Sequence, residues 1–114
     1  ESGCYLQLTA RSLNGGFGQP AVSAAGYILK RRLAHFIASD AHHATTRRPV
    51  LLGAFDHISK TYGLPAARML LIDNPEAALC GAVNLQMPAA HGWLAGLLFR
   101  TANGYRKQTL SQLP

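Results

Sequence analysis

Apolar positions in the first part of the chain follow two different periodicities. Residues 4–10 are rich in aromatic and leucine side chains and lead into glycines, which predicts a short strand. Pro20 suits the first position of a helix, and apolar residues follow at helical spacing as far as the basic residues 30–32. The short apolar run 34–38 ends at Ser39-Asp40 and predicts a buried strand. Strand, helix and strand together predict a parallel βαβ unit.

The pattern that follows is mainly helical. A helix is predicted from Pro49 to a stop at Gly63, and a shorter one over residues 65–72. Asn74 followed by Pro75 predicts the N-cap and first residue of a separate helix that ends at Gly81. Residues 93–100 predict a weaker helix, and a loose basic tail follows it.

Composition limits the class of protein. The chain has 114 residues, of which 48% are apolar and 14% charged, so it fits one modest domain and is too apolar for a disordered segment. No apolar run reaches the roughly 20 residues that cross a bilayer, and the N-terminus lacks the pattern of a signal peptide. We expect a soluble cytoplasmic protein. The low charged fraction also indicates that apolar surface faces other parts of a larger protein.

The charge balance is basic, with 11 Lys and Arg against 5 Asp and Glu and a formal net charge of +6. Such a balance suits nucleic acid, anionic lipid or a phosphorylated substrate. The positive residues are dispersed and form no long run, so a solvated helix end and a basic tail explain the charge equally well. Cys4 and Cys80 match no metal spacing, and we expect both to be buried thiols in a reducing compartment.

The tripeptide Asp40-x-His42 is the strongest candidate for chemistry. It follows the predicted strand 34–38, and in extended backbone side chains two positions apart project to the same side, with Cα atoms about 6.5 Å apart. Asp40 and His42 can therefore converge on one metal ion or bridge two. The carboxyl ends of parallel strands are also where (β/α) proteins place their active sites. The alternative is a simple turn at Ser39-Asp40 with exposed histidines at 42 and 43.

Two further features belong to the same edge of the βαβ unit. The glycine-rich segment 12–18 is expected to be a loop that either lines an anion site with its backbone amides or forms a simple turn. Arg47 and Arg48 follow Asp40-x-His42 in the same loop, where they bind a phosphate or are ordinary surface arginines. His35 is expected to be a structural histidine.

In chain order these motifs resemble those of a known family. They are Gln7-Leu8-Thr9-Ala10-x-Ser12-Leu13-x-Gly15-x-x-Gly18, His35-Phe36-Ile37-Ala38-Ser39-Asp40-Ala41-His42, an Arg at 47 or 48, and Asn74-Pro75. The set resembles the C-terminal part of the CpsB/CapC-type manganese-dependent protein-tyrosine phosphatases of bacterial capsule and exopolysaccharide operons. These belong to the PHP (polymerase and histidinol phosphatase) superfamily. The resemblance covers about residues 1–83 and leaves 84–114 as a C-terminal extension with a basic tail.

The resemblance implies an α/β fold, namely the C-terminal βα units of a PHP-type distorted (β/α)7 barrel that is incomplete in this chain. It implies that Asp40 and His42 are catalytic metal ligands for manganese, in a cluster of two to three ions. Arg47 matches the family's phosphate-binding Arg by its distance from Asp40, and Arg48 matches by preceding a Pro. The implied reaction is metal-assisted hydrolysis of phosphotyrosine on a protein such as a tyrosine autokinase, which controls polysaccharide export.

The chain departs from the family pattern in what it lacks. The family's N-terminal His-x-His motif and its middle Glu and His ligands are absent, and a (β/α) barrel needs roughly 200 residues or more. We therefore expect part of such an enzyme, with weak metal binding and little or no phosphatase activity by itself.

Two other functions stay open beside this one. The first is another PHP phosphoesterase, such as a histidinol-phosphate phosphatase. The second is a non-enzymatic basic module that binds nucleic acid or an acidic partner through Arg31, Arg32, Arg47, Arg48, Arg106 and Lys107. The leading interpretation expects a phosphotyrosine protein as the partner and no nucleic acid.

Overall fold

The computed structural model describes residues 3–82 and 84–87 of the chain. The elements follow one another as β1 (Gln7–Thr9), α1 (Ala10–Leu13), α2 (Gln19–Lys30), β2 (Phe36–Ala38), α3 (Leu52–Tyr62), α4 (Leu64–Arg68), a π-helical turn (Met69–Asp73) and α5 (Asn74–Leu79). The predicted helix 93–100 and the basic tail lie outside the described residues. The chain is an α/β protein, which confirms the predicted class.

The two strands form a parallel pair in which Leu8 lies opposite Ile37. Parallel neighbours need a crossover connection, and α2 provides it between the end of β1 and the start of β2. Both Leu8 and Ile37 are buried. The predicted βαβ unit is therefore confirmed.

One hydrophobic core joins the helices to this unit. Four of its largest fully buried side chains come from four different elements, α2, β2, α3 and the π-helical turn. They are Leu29, Ile37, Ile58 and Leu70. Because each element contributes to the same cluster, the helices hold the two strands in a fixed position and so define the edge on which the candidate site lies.

The prediction of a loop over residues 12–18 is wrong for the first two of these residues, which belong to α1. Helix α1 begins directly after β1 because Ala10 and Leu13, three positions apart on one helix face, are both buried in the core. The loop proper follows Leu13. Gly15 and Gly18 there have φ values of 78° and 83°, a left-handed conformation that glycine adopts without steric cost.

Helix α3 begins later than predicted. Its first residue is Leu52, so the prediction of a start at Pro49 is wrong, and Leu51 occupies the capping position with φ −115°. The predicted stop is confirmed, because Gly63 follows the last residue with φ 95°.

Asn74 is not the N-cap that the sequence predicts. Its backbone is helical, with φ −67° and ψ −44°, and it lies inside a helical segment that continues from α4 through the π-helical turn into α5. Pro75 lacks the N–H that an α-helical bond would use, and the wider turn immediately before Pro75 accommodates that loss. The Asn74 side chain is buried and donates hydrogen bonds to the carbonyl oxygens of His35 and Gln86, both at 2.9 Å.

The sequence led to expectations about the cysteines and about apolar residues on the protein surface. Cys4 and Cys80 are both exposed, so the expectation of buried thiols is wrong; neither belongs to the cluster that fills the core. Exposed apolar side chains occur on several elements, including Tyr27, Leu52, Leu64 and Leu79. The expectation that apolar surface faces other parts of a larger protein stays a prediction. None of the described helices is long and apolar enough to cross a membrane.

Candidate metal and anion site

The candidate site lies where β1 and β2 end. Thr9 pairs with Ala38, so the residues after both strands emerge at the same edge of the sheet. Asp40 follows β2 with φ 53°, a left-handed backbone that Asp tolerates better than most non-glycine residues. Such conformations concentrate at functional sites, where the surrounding structure maintains them.

A closed loop brings Arg47 back to Asp40. The backbone N–H groups of His42 and His43 both donate to the carbonyl oxygen of Arg47, at 3.2 and 3.4 Å. The Arg47 guanidinium then donates a hydrogen bond to Oδ2 of the Asp40 carboxylate. The two side chains, 33% and 40% exposed, form an ion pair. The structure thus separates the two arginines, because Arg47 pairs with Asp40 while Arg48 continues into the segment before α3.

His42 is oriented by the backbone of Asp40. Its Nδ1 lies 2.8 Å from the Asp40 carbonyl oxygen, which accepts a hydrogen bond from the Nδ1–H tautomer. Nδ1 also lies 4.0 Å from Oδ1 of the same residue. With the proton on Nδ1, Nε2 carries the lone pair that binds a metal, an arrangement common among metal-ligating histidines.

The donor set at this edge fits a divalent metal. An imidazole nitrogen and a carboxylate oxygen suit transition metals, and the Asp40 carboxylate keeps Oδ1 and further lone pairs while Oδ2 accepts from Arg47. Over residues 3–82 and 84–87, no group of three or more His, Cys, Asp or Glu residues is placed to hold a metal. Asp40 and His42 therefore offer two donors of the types that such a metal accepts.

A polar cleft of about 170 Å³ opens beside these residues. It lies between the end of β1 with α1 on one side and the loop after β2 on the other. Its polar lining residues are Thr9, Arg11, Asn14, Ser39, Thr46, Arg47 and Arg48. Both predicted arginines are therefore in one cleft.

Arg11 and Asn14 were missed by reasoning from the sequence. Arg11 follows β1 much as Asp40 follows β2, so the rule that parallel strands present chemistry at their carboxyl ends could have identified it. The separation of Arg11 from Arg47 along the chain does not indicate that the two residues lie close together. Only the pairing of the two strands brings Arg11 to the same cleft.

The glycine loop uses two of its backbone amides internally. The backbone N–H of Gly16 donates to Arg11 and that of Gly18 to Gly15, each at 3.0 Å. These two amides are used within the loop itself, which favours the interpretation of the segment as a simple turn.

His35 has the expected structural role. Its Nδ1 accepts a hydrogen bond from the backbone N–H of Leu6 at 3.2 Å, and its ring meets the Tyr5 ring edge-on, with centroids 5.0 Å apart. It lies at the start of β2, away from the edge that carries Asp40. Arg31 and Arg32 also lie there, after the end of α2.

These observations define an α/β protein with an Asp–His pair and an arginine cleft at the carboxyl ends of a parallel βαβ unit. The family model described as "Capsular polysaccharide synthesis, CpsB/CapC" matches residues 1–80. The chain belongs to the CpsB/CapC family.

Individual relatives agree with this assignment. Tyrosine-protein phosphatase CpsB of Streptococcus pneumoniae is 36% identical over 80 residues, which is 66% of this chain and 33% of that protein. The Streptococcus agalactiae protein of the same name is 32% identical over 82 residues, covering 68% of this chain and 34% of the relative. This chain thus spans about a third of the length of the curated relatives it matches.

A solved structure also superposes on the chain. It comes from crystal structures of YwqE from Bacillus subtilis and CpsB from Streptococcus pneumoniae, which are called unique metal-dependent tyrosine phosphatases. The TM-score is 0.63 at 30% identity, over 72% of this chain and 32% of the matched chain.

Proposed function

We propose that this chain supplies the C-terminal part of a metal-dependent protein-tyrosine phosphatase that acts in capsular or exopolysaccharide synthesis. The observation that carries the proposal is the convergence of Asp40, His42 and Arg47 at the carboxyl ends of two parallel strands. The relatives named tyrosine-protein phosphatase CpsB support the reaction. The metal-dependent phosphatase in the matched structure supports the cofactor.

Asp40 and His42 would hold the metal, which we propose to be manganese, in a cluster of two to three ions. When bound, such an ion supplies charge neutralisation for phosphoryl oxygens and activation of water. The Asp40 backbone carbonyl orients His42 by accepting from Nδ1. His42 can therefore offer Nε2 without first reorganising.

Arg47 would bind the phosphoryl group. A guanidinium has five N–H donors, so the hydrogen bond to Asp40 leaves others for phosphate oxygens. Because Arg47 both pairs with Asp40 and lines the cleft, it would place the phosphate next to the metal ligands. Arg48, which lines the same cleft, is proposed as a further substrate-binding residue.

The remaining features of the proposal concern the whole enzyme. Residues 1–83 would belong to the phosphatase domain, a distorted (β/α)7 barrel whose other units complete the metal site. Residues 84–114 would form a C-terminal extension. The substrate would be phosphotyrosine on a protein, with a tyrosine autokinase as the partner, and the enzyme would act in the cytoplasm.

The alternatives have less support from the structure. A binding module for nucleic acid would need its positive side chains on one surface, but Arg31 lies before β2 and Arg47 after it. Arg106 and Lys107 lie outside the described residues. The relatives are tyrosine phosphatases, which favours that reaction over hydrolysis of histidinol phosphate.

Manganese binding by the 114-residue chain tests the ligand assignment. We expect weak binding, detected as loss of the free Mn²⁺ signal in electron paramagnetic resonance. Asp40→Asn and His42→Gln should each weaken it at least about tenfold, since even supporting residues around a metal typically affect affinity 10–100-fold. His43→Gln is the matched control and should bind like the parent chain. Equal binding by all four proteins would contradict the assignment.

Activity is tested in a chimera, because this chain covers a third of its relatives. Residues 1–80 would replace the matching segment of Streptococcus pneumoniae CpsB, and hydrolysis of a phosphotyrosine peptide would be measured with Mn²⁺. A folded chimera, verified by circular dichroism, should be active, and Asp40→Asn should abolish that activity. A folded but inactive chimera would contradict the proposed function.

A further inference from the structure

The cleft beside Asp40 contains more positive charge than one phosphate requires. Arg11, Arg47 and Arg48 all line it, and among the described residues no Asp or Glu does. Arg47 pairs with Asp40, which lies next to the cleft. In the part of the chain that the structure describes, neither Arg11 nor Arg48 makes an ion pair. Two guanidinium charges therefore stay available for an anion from outside.

Arg11 is held in place by its neighbours. Its guanidinium carbon lies 5.5 Å from the centre of the Phe17 ring, a cation–π contact. Its side chain also passes over Gly16 so closely that a Cβ built there would lie 2.3 Å from Arg11 Cγ. The backbone carbonyl of Arg11 accepts from the Gly16 N–H at 3.0 Å, which fixes that approach. Arg11 is thus partly pre-organised, which lowers the entropic cost of binding.

The cleft has room for an additional charged group. Its volume of about 170 Å³ is several times the roughly 30 Å³ that one water molecule occupies in the liquid. Thr9, Ser39 and Thr46 also line it, and each carries a hydroxyl group of the kind that donates to anionic oxygens. One arginine can bind a phosphate through two parallel hydrogen bonds, so Arg47 accounts for the scissile group alone.

We propose that Arg11, together with Arg48, binds a second anionic group of the substrate, next to the phosphotyrosine whose phosphate Arg47 binds. This inference rests on the proposed phosphatase function and specifies its substrate class. The preferred sites are phosphotyrosines with an acidic neighbour, either a carboxylate side chain or a second phosphorylated residue. Both present anionic oxygens to a guanidinium, and experiment distinguishes them.

The test measures selectivity between three peptides that share one phosphotyrosine. The first has neutral neighbours, the second has Asp and Glu beside the phosphotyrosine, and the third carries a second phosphotyrosine. Dissociation constants for the 114-residue chain would be measured by fluorescence anisotropy at fixed ionic strength. We expect the second or third peptide to bind about tenfold more tightly than the first, as one or two charge-assisted hydrogen bonds would provide. The stronger of the two identifies the natural group.

Substitutions assign this selectivity to residues. The selectivity ratio is the affinity for the second or third peptide divided by the affinity for the first. Arg11→Gln and Arg48→Gln should each lower this ratio toward one. Arg47→Gln should weaken the binding of all three peptides to a similar degree and so preserve the ratio. Gly16→Ala should also lower the ratio, because the added methyl displaces the Arg11 side chain without removing charge. Arg31→Gln removes the same charge at the opposite end of the strand pair and is the matched control. It should leave the three affinities and their ratio unchanged.

The outcomes separate this inference from the proposed function. Equal affinity for the three peptides, or a ratio unaffected by Arg11→Gln, would overturn the role of Arg11 even if Arg47→Gln weakens binding. A ratio that depends on Arg11 without any effect of Arg47→Gln would instead contradict the phosphate site. A single-stranded oligonucleotide that binds more tightly than every peptide, and is weakened by Arg31→Gln as well, would indicate a general basic surface and overturn the inference.

Discussion

The side-chain carboxylate of Asp40 accepts a hydrogen bond from Arg47, while the backbone carbonyl of Asp40 accepts one from His42. One residue therefore organises both a candidate metal ligand and a candidate phosphate-binding group. Asp40 does so from a left-handed backbone with φ 53°, which ties the geometry of the site to the conformation of a single residue.

Replacement of Asp40 should separate backbone strain from loss of charge. Asp40→Asn and Asp40→Ala both remove the ion pair with Arg47, but Asn tolerates the left-handed conformation and Ala does not. We expect the alanine variant to be less stable than the asparagine variant by about 1 kcal/mol, measured by urea unfolding. Equal stability would show that the conformation relaxes once the carboxylate is gone.

Asn74→Ala should destabilise the fold by about 1–3 kcal/mol, because two carbonyl oxygens lose their donor in a partly buried place. Asn74→Asp should also destabilise, since it retains the shape but loses the N–H donors. Asn84→Ala, at an exposed position, is the control and should stay within about 0.5 kcal/mol. Thermal unfolding followed by circular dichroism would measure all three.

Gly26→Ala should stabilise the protein by about 0.5–1 kcal/mol, because Gly26 lies inside α2 and an added Cβ meets no atom within 4 Å. Gly53→Ala in α3 is the contrasting case. A Cβ there would lie 3.2 Å from Asn14 Nδ2, so we expect a smaller gain or a loss. A larger gain at position 53 than at position 26, in chemical denaturation, would contradict this reasoning.

Tyr62 should make stability depend on pH in the alkaline range. Burial raises the pKa of Tyr62 above the ordinary value of 10.0. The native state therefore keeps the phenol neutral at a pH where the unfolded chain has already lost the proton. The free energy of unfolding should fall as pH rises above 10, by up to about 1.4 kcal/mol per pH unit, and should not depend on Tyr62 below that range. Tyr62→Phe should flatten this dependence, measured as urea unfolding against pH.

The sequence predicted those features that depend on neighbouring residues. The order of strand, helix and strand was evident from periodicity, because α2 and β2 each present apolar side chains at the spacing of their own backbone. Gly63 ended α3 as expected, since it provides a left-handed residue where the helix stops. The position of Asp40 and His42 after β2 followed from the same local pattern, as did the resemblance to the CpsB/CapC family.

Predictions of helix boundaries from neighbouring residues failed where a contact between residues far apart in the chain set the boundary. Asn74-Pro75 has the composition of a helix start, yet the chain stays helical through Asn74 because its side chain is buried and bonded to the carbonyl oxygen of His35. The start of α1 was missed for a similar reason. Ala10 and Leu13 are buried by elements that come later in the chain, and no local signal reports that burial.

The sequence by itself determined the βαβ unit, the candidate metal ligands and the family, since each depends on residue types at short, regular spacing. The tertiary structure alone decided that Arg47 rather than Arg48 pairs with Asp40, and that Arg11 shares their cleft. The physical reason is that these relationships arise from closure of the loop after β2 and from the parallel pairing of β1 with β2. Both bring together groups whose separation along the chain carries no information about their distance in space.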